Sequence, residues 1–221
     1  MLQSGRKFVI FAACLAAVAG FVDALGFINM GGVFVSFMSG NSTRLGVGIT
    51  NGMDFNTLLP GIIITLFVAG VMAGSIIGHY NEHHRASVIL SFITGLLFGA
   101  ALFHANGHSF VATLLMAVAM GAENTIFEKD GEVRIGVTYM TGTLVKAAQR
   151  IAALFWGGST AGWFRYALLW LGLVCGAMAG AVAYQAFGLS SLWFAAGFSL
   201  ALAISSVFMN FATFHSETEP Q

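Results

Sequence analysis

Apolar residues run along this chain in long blocks. They show neither the alternation of a half-buried strand nor the one-sided stripe of a soluble helix. Six blocks are continuous: Phe8–Asn29, Leu58–Tyr80, Ala86–His104, Ser109–Phe127, Arg165–Phe187 and Ser190–Thr213. About 20 apolar residues carry a helix across a bilayer, so each block predicts a spanning helix. A membrane β-barrel would alternate lipid-facing and polar positions, and these blocks do not. Two further stretches, Gly31–Ile49 and Arg134–Trp156, are apolar but interrupted. Each opens with β-branched and aromatic residues, which predicts a short extended run. Ser-Gly-Asn-Ser or Thr-Gly-Thr then predicts a turn and a helix cap. A short helix follows, Ser42–Thr50 in one and Leu144–Phe155 in the other. Non-helical backbone at membrane depth persists only when buried in protein or lining a cavity. The two strand–turn–half-helix elements therefore predict an interior polar site.

The interrupted stretches repeat one another. Val33-Phe34-Val35-Ser36-Phe37-Met38-Ser39-Gly40-Asn41-Ser42-Thr43-Arg44 aligns without a gap to Ile135-Gly136-Val137-Thr138-Tyr139-Met140-Thr141-Gly142-Thr143-Leu144-Val145-Lys146. Upstream, Gly20-x-x-Asp23 parallels Gly121-x-x-Asn124. Downstream, Gly70-x-Met72-Ala73-Gly74 parallels Gly176-x-Met178-Ala179-Gly180. Three matches in one order predict a single transmembrane domain of two halves, about 1–106 and 107–221.

Charge placement chooses a topology. If both short elements dip in and return, six spans with the N-terminus inside put Arg6, Lys7, Arg85, Lys129, Arg134, Lys146, Arg150 and Arg165 on the inner side. Arg44 alone then lies outside. If both elements cross, there are eight spans, and Arg85, Lys129 and Arg134 move outside. The positive-inside rule favours six. Three spans per half is an odd number, so the halves are inverted, an arrangement common in transporters. Arg6-Lys7 and the apolar run after it imitate a secretion signal. That run passes Gly20 and reaches Ile28, beyond the roughly 7–15 residues of a signal core, so it reads as a retained first span.

Composition agrees with this class. Of 221 residues, 57% are hydrophobic and 8% charged, with a formal net charge of zero. Soluble domains carry about 25% charged residues, so a soluble enzyme, a disordered chain and a nucleic-acid binder are all excluded. Cys14 and Cys175 fall within predicted spans and read as small buried groups. His79, His83 and His84 surround Asn81-Glu82 without a Cys or second acid, and read as a solvated loop with no metal.

Gly20-Phe21-Val22-Asp23-Ala24-Leu25-Gly26-Phe27, Gly31-Gly32-Val33-Phe34-Val35-Ser36-Phe37-Met38-Ser39-Gly40-Asn41 and Thr138-Tyr139-Met140-Thr141-Gly142-Thr143-Leu144 together resemble the YoaK-like family of bacterial polytopic membrane proteins, a domain-of-unknown-function family. The resemblance covers nearly the whole chain. It implies a bacterial inner-membrane protein of about this size, and it brings no substrate, cofactor or catalytic residue.

The candidate site follows from the two half-helix starts. Their amide groups and dipoles attract an anion or a carbonyl-like dipole. Ser39, Gly40, Asn41 and Ser42 from one half, with Thr141, Gly142 and Thr143 from the other, are expected to line a shared midplane site. The bland alternative is that these residues only cap and turn. Arg44 and Lys146 sit early in their half-helices, where a cation opposes the dipole. They need a bound anion, or Asp23 or Glu123, as partner. Otherwise they snorkel to an interface. Asp23 reads as the ion-pair partner of Arg44 or as a proton-coupling carboxylate. Glu123 and Asn124 occupy the matching neighbourhood in the second half.

The expected function is passage of a small polar solute, an anion by preference, through the inner membrane, with both termini cytoplasmic and no cofactor. No nucleophile–base–acid set, phosphate loop or zinc-hydrolase motif appears, so an enzyme is not expected. The competing classes are a membrane-embedded enzyme, a sensor or a structural subunit. Gly70-x-x-x-Gly74 and Gly176-x-x-x-Gly180 predict close helix packing within the chain, and leave a homodimer open.

Overall fold

The computed structural model describes residues 2–52, 54–129, 132–133, 136–156 and 162–209. It contains α1 (Leu2–Asn29), α2 (Met38–Asn51), α3 (Phe55–Tyr80), α4 (Arg85–Ala105), α5 (Ser109–Glu123), α6 (Met140–Ala152), α7 (Trp163–Phe187) and α8 (Leu192–Val207). Among the described residues, four helical stretches are long and apolar enough to cross a membrane: Lys7–Asn29, Thr57–Tyr80, Glu82–Ala105 and Trp163–Val207. The last is broken into α7 and α8 at Gly188, whose φ is 58°. With no Cβ, glycine takes that left-handed turn at no steric cost. The chain is therefore a helical, multi-pass membrane protein.

Two sequence expectations fail locally. Residues 33–37, expected to form an extended strand, are irregular and pair with nothing as a strand. Among the described residues, strand pairing is confined to a two-residue hairpin, Glu128–Lys129 with Glu132–Val133. The short helices also begin four residues before the expected starts, at Met38 and Met140. Ser39–Ser42 and Thr141–Thr143 thus form first turns of helix, not turns before it. The residues preceding them, Phe37 and Tyr139, give no side-chain cap. Polar residues were read as punctuation where they serve as helix. The expected helix end at Phe155 also moves, because α6 gives way at Ala153–Trp156 to a 3-10 turn. Arg134, the start of the second interrupted stretch, and the polar tail from His215 lie outside the described residues.

Helix directions follow from named contacts. A Cβ added at Gly172, Gly176 or Gly180 of α7 would overlap the carbonyl oxygen of Ala13, Ala17 or Phe21 on α1. Both series ascend together, so α1 and α7 run parallel. One at Gly70 of α3 would overlap Val118 O, one at Gly74 would crowd Ala122, and one at Gly121 would overlap Phe67 O. So α3 and α5 run parallel in the same manner. In contrast, Asn29 at the end of α1 bonds Thr113 near the start of α5, while Phe8 near the start of α1 meets Phe127 just past the end of α5, ring centroids 4.8 Å apart. Those two helices run in opposite directions. The expected small-residue rows are thus consumed inside the chain, where backbones approach closely.

A second polar seam ties α4 to α8. Thr94 meets Ser199 at 3.0 Å, and Ser206 donates to Ser87 at 2.8 Å, again antiparallel. The core lies among α1, α4, α5 and the start of α8, filled by Leu15, Leu25, Ile89, Ile93, Leu97, Met116, Met120 and Leu192. Against that core, α2 packs on α3 and α6 on α7.

Candidate functional site

The first short helix is held by the loop before it. Past Asn29 the chain turns back along α1, and Asp23 Oδ1 accepts the amides of Val35 and Ser36, both at 2.8 Å. A carboxylate taking two backbone N–H groups makes charge-assisted bonds, so it fixes the depth at which α2 begins. Asn41, fully buried, completes the clamp. Its Oδ1 accepts from Phe34 N at 3.1 Å, and its Nδ2 donates to Phe34 O at 2.6 Å.

The second half uses the same device with a neutral residue. Asn124 Oδ1 accepts from the hydroxyl of Thr138 at 2.9 Å and from its amide at 3.4 Å. Thr138 aligns with Ser36, and Asn124 with Asp23. Asp23 is accordingly not the partner of Arg44. Arg44 donates to the carbonyl oxygens of Gly32 at 2.7 Å and Gly31 at 3.4 Å. The expectation failed because it weighed charge and left out the unpaired backbone of an irregular loop, which competes strongly for both ions.

The other predicted residues divide by face. Asn41 and Thr143, which align with each other, are turned into the protein. Ser39, Ser42, Thr43 and Arg44 are exposed on α2, as are Thr141, Gly142, Lys146, Gln149 and Arg150 on α6, while Gly40 is half-buried. The hydroxyls of Ser42, Thr43 and Thr143 return to carbonyl oxygens four residues back: Met38, Ser39 and Tyr139. Each short helix thus buries one face against its neighbouring long helix, and its exposed side carries polar and cationic groups beside apolar residues, Val47 and Ile49 on α2 and Leu144, Val145 and Ile151 on α6. The two faces are alike, and each is carried beside a different long helix. Beside α2, a cleft against α3 is lined by Leu45, Leu58, Gly61, Ile62 and Leu66 and is apolar.

Glu123 meets none of the cations. It is fully buried at the end of α5, and neither carboxyl oxygen has a hydrogen-bond partner.

Two clusters escaped the sequence reading. Arg85 Nη2 lies 2.8 Å from Glu128 Oε2, and the same oxygen accepts from Ser75 at 2.6 Å. Arg85 Nε donates to Thr125 O at 3.0 Å. This joins α3, α4 and the segment after α5. Arg85 entered the sequence analysis only as an inner-side cation, and its 43-residue separation from Glu128 leaves no local signal of the pair. At the opposite end, Asn29 donates to Thr113 and accepts from the Tyr184 hydroxyl at 3.4 Å, linking α1, α5 and α7.

Comparison with known proteins gives a consistent result. The profile of the family described as protein of unknown function (DUF1275) matches residues 11–205. The UPF0700 transmembrane protein RA0705 of Rhizobium meliloti is 32% identical over 181 residues, covering 82% of this chain and 78% of that one. The UPF0700 transmembrane protein YoaK of Bacillus subtilis is 29% identical over 154 residues, covering 66% of this chain and 68% of its own. No solved structure matches.

Proposed function

The chain belongs to the DUF1275 family of proteins of unknown function, and from that premise we propose a passage for a small polar solute, an anion by preference, across the bacterial inner membrane. In this reading the protein has six spans with both termini cytoplasmic. Two inverted halves each contribute three spans and one re-entrant short helix.

Helix directions support the inversion. In the repeat, α5 is the counterpart of α1, and the two run oppositely. Since α3 runs with α5, it runs against α1, and the chain between them returns to the side it left. A loop-then-helix excursion through α2 does that without crossing. The matched glycine contacts, α1 with α7 and α5 with α3, support the duplication. Inverted repeats with broken helices are a recurring transporter plan.

The observation that carries the reading is the pair of short helices. Each is pinned at its start by a polar side chain on or just past the preceding helix, and each bears polar and cationic groups on its exposed face in a chain that is 57% hydrophobic. Hydrocarbon offers those faces no partners, whereas water and a hydrated anion do. Arg44 and Lys146 supply the positive charge that selects an anion.

The test is reconstitution into liposomes, with stopped-flow flux of chloride, nitrate, formate and phosphate, and of urea and glycerol as neutral probes. Faster entry of at least one anion than into empty liposomes is expected. No flux of any probe with folded protein would sink the reading.

A further inference from the structure

Glu123 stands apart from every polar contact described so far. It is 1% exposed, and both carboxyl oxygens are buried with no hydrogen-bond partner. Its neighbours are all engaged. Asn124 donates to Met120 O, and Thr125 donates to Ala122 O. The aligned position in the first half is Val22, equally buried, so that site packs well without a carboxyl. Retaining one is costly: an unpaired carboxylate in the apolar interior is strongly disfavoured, and a protonated one lacks an acceptor there.

The helix also changes character at this residue. The amides of Asn124, Thr125 and Ile126 reach back three residues, to Gly121, Ala122 and Glu123. Over its counterpart stretch, α1 stays α-helical to Asn29. Tightened turns of this kind commonly close an α-helix at its C-terminus.

The ionisable groups on the elements packed against α5 are few. They are His79 and Tyr80 on α3, Arg85 and His104 on α4, and Arg6, Lys7, Cys14 and Asp23 on α1, with His108 just before α5 and Glu128 beyond it. Asp23 is committed to the Val35 and Ser36 amides. The Arg85–Glu128 pair is joined to Thr125, two residues from Glu123, and its side chains keep 16% and 15% of their surface exposed.

Building on the permeation reading, we propose that Glu123 binds and releases a proton during solute passage and so couples the two. The carboxylate takes one proton from solution and becomes the neutral acid; it returns that proton on the other side, and no electrons move. The partly exposed Arg85–Glu128 pair, joined to Thr125 two residues on, is the group's route to water.

Two measurements test this. Dicyclohexylcarbodiimide adds to carboxylic acids in apolar surroundings and spares carboxylates. Mass spectrometry of the detergent-purified protein should find the adduct at Glu123, falling about tenfold per pH unit above the group's own midpoint, and none in Glu123→Gln. No adduct, or one independent of pH over roughly pH 5 to 9, overturns the proposal. In proteoliposomes, the transported anion should accumulate under an imposed pH gradient in the native protein. Glu123→Gln should lose that accumulation about tenfold or more while still exchanging the anion, and Glu123→Asp should restore part of it. Unchanged accumulation in Glu123→Gln overturns the coupling alone. Absence of flux in the native protein overturns the permeation reading, and the coupling falls with it. Should Glu123→Gln fail to fold, carbodiimide-treated native protein takes its place, and accumulation that survives complete modification at Glu123 overturns the coupling.

Discussion

Asp23 and Asn124 do one job with different chemistry, and that decides how substitutions should behave. Both accept hydrogen bonds from the loop that precedes a short helix. Asp23→Asn keeps an acceptor of the same shape, as the second half already does, and should fold in native yield. Asp23→Leu leaves the Val35 and Ser36 amides unpaired and should cost about 1–3 kcal/mol per orphaned group. Thermal unfolding followed by size-exclusion chromatography separates the two variants. Asn41→Ala strips both bonds to Phe34 and should destabilise by a similar amount. Lys146 is exposed on α6, so Lys146→Ala should lower anion flux several-fold without changing the melting temperature. Arg44→Ala should lower both, because Arg44 also holds the Gly31 and Gly32 carbonyls. Equal anion flux in the native and Lys146→Ala proteins would remove that residue from the site.

Among the elements, the tightest constraint is where α7 meets α1 and α3 meets α5. A methyl group at Gly176 or Gly70 would collide with the backbone of Ala17 or Val118. Backbone cannot yield as a side chain can, so Gly176→Ala and Gly70→Ala should separate a helix pair and sharply reduce folded yield. Gly95 of α4 has open space around its Cβ position, and Gly95→Ala should be neutral or stabilising by up to about 1 kcal/mol. Comparable losses at all three positions would mean that these glycines are kept for flexibility and not for close approach. The repeat made the rows visible in the sequence, since Gly70-x-x-x-Gly74 and Gly176-x-x-x-Gly180 recur in register. Their partners were not visible, because each row packs on the first helix of the opposite half, and no local pattern encodes that exchange.

For the molecule as a whole, the six-span and eight-span arrangements differ in one measurable respect. With re-entrant short helices, the α4–α5 turn and the α7–α8 turn lie on the same side of the membrane, and the α3–α4 turn lies on the other. With crossing short helices, the α4–α5 and α7–α8 turns face opposite sides. Asn81, Asn106 and Ser190 are exposed in those three turns. In a background lacking Cys14 and Cys175, a membrane-impermeant maleimide added to intact cells should give Asn106→Cys and Ser190→Cys the same response and Asn81→Cys the opposite one. Asn106→Cys and Ser190→Cys behaving oppositely would reject the inverted six-span arrangement.

Composition and block length alone determined the membrane class and most of the long helices to within a few residues, and comparing the chain with itself exposed the matched motifs. Each of these depends on counting apolar positions or on comparing the chain with itself, and needs no knowledge of neighbours. What Asp23, Asn41 and Arg44 bind was settled by the folded chain. Their partners are backbone groups of an irregular loop, and any residue supplies such groups, so the sequence carries no mark of them. The burial of Glu123 without a partner was likewise invisible, since it requires helices from both halves to close around one side chain.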